Sequence, residues 1–117
     1  MITGFHPVLY AEDAEQARAF FRDVLGLAYV DAGHGWLIFR LPPAELGVHP
    51  TPGEPPSGRA ELYLMCDDVR ATVAELTAKG VTFTSPVTEA GFGLVTTLAV
   101  PGAGELGLYQ PRHPTAI

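Results

Sequence analysis

The chain has 117 residues, of which 47% are hydrophobic and 17% charged, and its formal net charge is −6. Seven Lys and Arg against thirteen Asp and Glu leave no basic footprint for a nucleic-acid partner. The lone Cys66 excludes an internal disulfide and a Cys-built zinc site, and no apolar run nears the roughly 18 residues that span a bilayer.

The elements follow in order. A first strand over about 3–10 leads into a helix over 14–25, in which Asp13 caps the first turn and Gln16 completes a capping-box pattern. Ala17, Phe20, Phe21 and Val24 form its apolar stripe, and Gly26 supplies the left-handed stop. Strands over about 27–32, 36–41 and 45–49 come next, joined by turns at Gly33/Gly35 and Pro42-Pro43. The stretch 50–58, PTPGEPPSG, can be neither a helix nor an inner strand and reads as a linker. Beyond it lie a strand over about 60–66, a helix over 68–79 striped by Val69, Val73 and Leu76 and stopped by Gly80, and strands over 81–85, 94–100 and 105–109.

The second set of elements repeats the first. Ala32-Gly33-His34-Gly35 recurs as Ala90-Gly91-Phe92-Gly93, and Glu45-Leu46-Gly47-Val48 as Glu105-Leu106-Gly107-Leu108, in the same order as the helices. The chain is thus an α+β domain of two tandem βαβββ modules with a largely antiparallel sheet. Module one covers 1–49, the linker 50–58, module two 59–111 and a tail 112–117.

Side chains alternate across a strand, so each strand turns one face to its helix. Leu62, Leu64 and Cys66 suit the helix side, leaving Glu61, Tyr63 and Met65 opposite. Leu106 and Leu108 leave Glu105, Gly107 and Tyr109; Leu46 and Val48 leave Glu45, Gly47 and His49. In the first strand Phe5, Pro7 and Leu9 pack inward, leaving His6, Val8 and Tyr10. Faces that mix His, Glu and Tyr with apolar residues describe a ligand cavity better than a plain wet surface.

These residues resemble the glyoxalase/bleomycin-resistance/extradiol-dioxygenase (vicinal oxygen chelate) superfamily. The resemblance rests on His6 with Glu12-Asp13, on Val24-Leu25-Gly26-Leu27, on Asp67-Asp68, and on Gly104-Glu105-Leu106-Gly107-Leu108-Tyr109-Gln110-Pro111. It implies paired modules around a U-shaped sheet with helices on the convex side, and a cavity that often lies at a homodimer interface. Metal-dependent members carry one ligand on the first and one on the last strand of each module. Those positions fall at His6 and Glu61, and at Gly47 and Gly107, so the two last-strand carboxylates are missing. Glu45, His49 and Glu105 stand two residues away, ~6.6 Å along a strand, which is far beyond the ~0.2 Å tolerance of metal–ligand distances.

The candidate metal ligands are therefore His6, Glu61 and His49, for a divalent Fe, Mn, Ni or Zn ion if any, while the absent carboxylates favour none. Glu61 in an apolar surround also suits a general base. Tyr10, Trp36, Arg40, Tyr63 and Tyr109 are candidates for holding a ligand by stacking, hydrogen bonding or charge. Cys66 reads as a small apolar residue. Two functions follow: a cytoplasmic homodimer that binds a small, partly aromatic molecule, or a metal-dependent lyase, isomerase or extradiol dioxygenase with a shifted site.

Overall fold

A computed structural model of the chain describes residues 6–9, 11–45, 47, 60–115 and 117. The linker 50–58, most of the strands expected over 3–10 and 45–49, and the candidate residues Tyr10 and His49 lie outside the described residues.

Helix α1 (Ala14–Ala19) begins where Asp13 Oδ1 accepts the Gln16 amide at 3.0 Å. Helix α2 (Val69–Ala78) repeats the device, Asp68 Oδ1 accepting from the Ala71 amide at 3.0 Å. Each cap satisfies an amide that has no partner within its helix. Both helices end at a left-handed glycine, Gly26 (φ +66°) and Gly80 (φ +88°). In the second, the Val81 amide reaches back to the Leu76 carbonyl at 3.0 Å, closing the last turn. The first departs from an unbroken helix over 14–25. Phe20–Val24 is a π-helical turn in which the Leu25 amide donates to the Phe20 carbonyl at 3.2 Å. The consecutive rings are then divided between two contacts, Phe20 in the core and Phe21 against Phe39, 5.7 Å between centroids.

Strands β1 (Tyr29–Asp31) and β2 (Leu37–Phe39) pair antiparallel, with Val30 opposite Ile38. The second half forms a four-stranded sheet of β3 (Tyr63–Met65), β4 (Thr88–Ala90), β5 (Gly93–Val100) and β6 (Gly104–Pro111), ordered β3-β6-β5-β4. β3 runs parallel to β6, while the other two pairings are antiparallel.

The strand expected over 81–85 contracts to one bridge, Phe83 to Leu98, and the hairpin partner of β5 is instead β4, joined through Gly91-Phe92. The cause lies at Ser85-Pro86. Proline has no amide to give the ladder, and Ser85 Oγ takes the Thr97 amide at 3.0 Å while Thr96 Oγ1 donates to the Ser85 carbonyl at 2.7 Å. Side-chain bonds replace the backbone ladder there, and pairing resumes two residues out of step.

Thr96, Leu98 and Val100 from β5 and Leu106 and Leu108 from β6 are buried on one face of this sheet. They meet Val69 and Leu76 of α2 and Ala17 and Phe20 of the first helix, so one core serves both halves. The halves are also tied through backbone: the Asp13 amide donates to the Gly102 carbonyl at 2.9 Å. Gly102 sits at φ +80°, and a Cβ there would stand 2.5 Å from the Asp13 carbonyl oxygen. Replacing Gly102 with Ala combines left-handed strain with a backbone collision. Urea unfolding of Gly102→Ala should show a loss of about 1–3 kcal/mol, and an unchanged midpoint would disprove this seam between the halves.

Candidate functional site

The sheet face away from the helices carries Tyr63, Gly107 and Thr97 in one row, and Met65, Tyr109 and Val95 in the next. A cleft of about 640 Å³ opens beside the first row. Its walls are the segment His6–Leu9, the segment Ala60–Tyr63, Thr97 of β5, and Glu105, Leu106 and Gly107 of β6. His6 and Glu61 thus line one hollow, with Glu105 at its edge.

Tyr63 forms the inner wall. Its hydroxyl donates to Glu61 Oε2 at 3.0 Å. Its ring lies over Gly107: a Cβ built at 107 would be 2.2 Å from Tyr63 Cδ1 and 2.5 Å from Cε1. Behind it, Tyr63, Phe92 and Tyr109 pack edge to face, with centroids 5.4 to 5.9 Å apart, the arrangement in which ring quadrupoles attract. Tyr109 is buried, and His113 stacks on it with a 3.2 Å contact between the hydroxyl and Nε2. Glu45 Oε1 lies 4.0 Å from the same Nε2. The residues after β6 therefore turn back over the sheet and bring His113 to Glu45 of the first half. Sequence reasoning left His113 and Phe92 out of the site, because neither a tail histidine nor a turn phenylalanine carries a periodic signal.

The remaining candidates lie elsewhere. Trp36 precedes β2 and lies under Arg18 of α1, whose guanidinium carbon is 4.8 Å from the ring centroid. Arg40 is exposed, and its amide closes the β1–β2 pair on the Ala28 carbonyl at 2.8 Å. Neither lines the cleft. Cys66 packs against the core, and burial pushes its thiol above the ordinary range.

The residues present do not fit the four-ligand metal set that the sequence resemblance implies. Gly107 offers no donor and its space holds a ring, and Gly47 is likewise without a side chain. Among the described residues no three His, Cys, Asp or Glu side chains come together as a metal-holding group.

Burial, and then the bond to Glu61, raises the Tyr63 phenol above 10.0; burial, and then the charge of Glu45, does the same for Tyr109. Both hydroxyls remain donors through neutral pH. A raised folded value stabilises the fold fully below the unfolded pKa, and that contribution disappears as pH climbs through the folded values. Absorbance titration at the tyrosinate band should therefore show a high-pH component that weakens in Tyr63→Phe. Ionisation of every tyrosine at the free value would contradict the burial described.

The profile of the Glyoxalase/Bleomycin resistance protein/Dioxygenase superfamily matches residues 5–102. No curated protein gives a match. Among solved structures the chain is similar to TnmS3, an antibiotic binding protein from Streptomyces sp. CB03234, at 27% identity and TM-score 0.64, covering 95% of this chain and 98% of that one. A glyoxalase/bleomycin resistance protein from the same organism is 28% identical with TM-score 0.56, covering 87% and 95%. Lactoylglutathione lyase from Agrobacterium tumefaciens shares the fold at 19% identity and TM-score 0.65, covering 92% of each chain. With the profile spanning most of the sequence, the chain belongs to the Glyoxalase/Bleomycin resistance protein/Dioxygenase superfamily.

Proposed function

We propose that the protein binds a small, partly aromatic organic molecule in the cleft between His6 and Glu61, without a complete family metal site. The observation that carries this reading is the Tyr63 ring seated on Gly107, where the family resemblance would put a carboxylate ligand. The cleft joins apolar walls from Val8, Leu9 and Leu62 to a few polar groups, His6, Glu61, Thr97 and Glu105, the composition of a binding site for an organic ligand. The similarity to an antibiotic binding protein supports the same reading. Tyr63 offers a ring for stacking and a hydroxyl oriented by Glu61, and His6 lines the same cleft.

A second reading, a divalent-metal-dependent lyase, isomerase or dioxygenase with a shifted site and Glu61 as general base, draws on the presence of His6, Glu61 and Glu105 in one hollow. The two readings separate in one experiment. Titrating flat aromatic fragments into isotope-labelled protein should shift the amide signals of residues 6–9 and 60–63. Tyr63→Ala should weaken binding by about 0.5–1.5 kcal/mol, roughly two- to tenfold in Kd. Shifts confined to other surfaces would defeat the binding reading. Stoichiometric Fe, Mn, Ni or Zn that survives purification and vanishes in His6→Ala would establish the second.

The binding form is proposed to be a homodimer. Val8, Val30 and Trp36 leave 60%, 66% and 58% of their surface exposed, and contact with a second copy would remove such apolar surface from water. Sedimentation should give a mass near twice that of the chain, and a monomeric mass at all concentrations would reject this form.

A further inference from the structure

We infer that Tyr63 is the specificity-determining residue of the cleft: it takes the volume in which a last-strand carboxylate would stand, and so closes the site to a divalent cation while giving an organic ligand an aromatic wall. This deepens the binding reading above, and its test does not depend on that reading.

The parallel register of β3 on β6 sets Tyr63 beside Gly107. At 2.2 Å and 2.5 Å from the ring, a Cβ at 107 would lie far inside van der Waals contact, so the ring in this position and any side chain at 107 exclude each other. The ring, 40% exposed, is held by three contacts. Phe92 meets it at 74° and Tyr109 at 78°, and its hydroxyl is bonded to Glu61. The pair thus has two effects on coordination. It removes a donor from the last strand, and it engages Glu61, one of the two first-strand donors that the cleft retains. What remains is the ring, its hydroxyl and the carboxylate that orients it, a surface suited to a planar organic molecule.

Cobalt(II) alone is the probe, read by its visible absorption and by calorimetry. The wild-type chain and Gly107→Glu should bind it poorly. Tyr63→Ala/Gly107→Glu, which restores the carboxylate and clears the ring, should bind it at least about tenfold more tightly, and adding His6→Ala should abolish the gain. A wild-type chain that binds cobalt as tightly as the double variant, or a folded double variant with no gain, would overturn the inference. Should the double variant not fold, smaller changes carry the test. Gly107→Ala should lower the thermal midpoint by on the order of 5 °C in the wild-type background, and by less than half as much when Tyr63 is already Ala. Equal losses in both backgrounds would show that the ring and position 107 do not compete. The two proposals can fail separately: a gain of cobalt binding would stand even if no organic fragment entered the cleft.

Discussion

The parity of the two central strands governs everything on the open face of the sheet. Leu98 and Leu108 are 0% and 2% exposed beneath the helices, and fully burying such side chains contributes about 1.5–3 kcal/mol each. With those positions committed to the core, alternation sends Thr97, Gly107 and Tyr109 to the other side. A slip of one residue in either strand would put leucines into the cleft and the Tyr109 hydroxyl into the core. The assignment of β5 and β6 residues to the cleft face is thus a consequence of core burial.

The open face is itself sealed where it adjoins the cleft. Leu106 to Tyr109 are buried one after another, which a strand with one wet face would not show. The Tyr63, Phe92 and Tyr109 rings supply this cover, and His113 and Glu45 extend it. Each edge-to-face pair contributes about 0.5–1.5 kcal/mol beyond simple burial, so the cluster braces the short strand β3 more than three residues of ladder could alone. Bracing matters because β3 stands at the sheet edge and carries Tyr63 toward the cleft.

Local chemistry was legible in the sequence and long-range register was not. Asp13, Asp68, Gly26 and Gly80 act within a turn of their own helices, so their roles can be read from neighbours alone. The faces of β6 follow from the alternation of Leu106 and Leu108, and the shared hollow of His6 and Glu61 is consistent with the repeat. The strand over 81–85 is cut short because its backbone bonds to β5 stop at Thr84, and Ser85, ahead of Pro86, bonds β5 through its hydroxyl and carbonyl to side-chain and backbone groups of Thr96 and Thr97. The contact of Arg18 with the Trp36 ring joins residues 18 apart in the chain and carries no periodic signal. The cover of Gly107 was beyond reach: glycine signals a close approach, but only the pairing of β3 with β6 names Tyr63 as what approaches.

The repeat also shows why equal sequence does not give equal sites. Gly47 and Gly107 are counterparts in the sequence repeat; among the described residues nothing stands within 4 Å of a Cβ at 47, while Gly107 is buried under a ring. The residues two places beyond the two first-strand donor positions also differ, Val8 after His6 and Tyr63 after Glu61. Val8 is 60% exposed. Tyrosine spans the gap and can also donate to the carboxylate behind it. One side chain therefore fills the space above Gly107 and makes it a wall of the cleft.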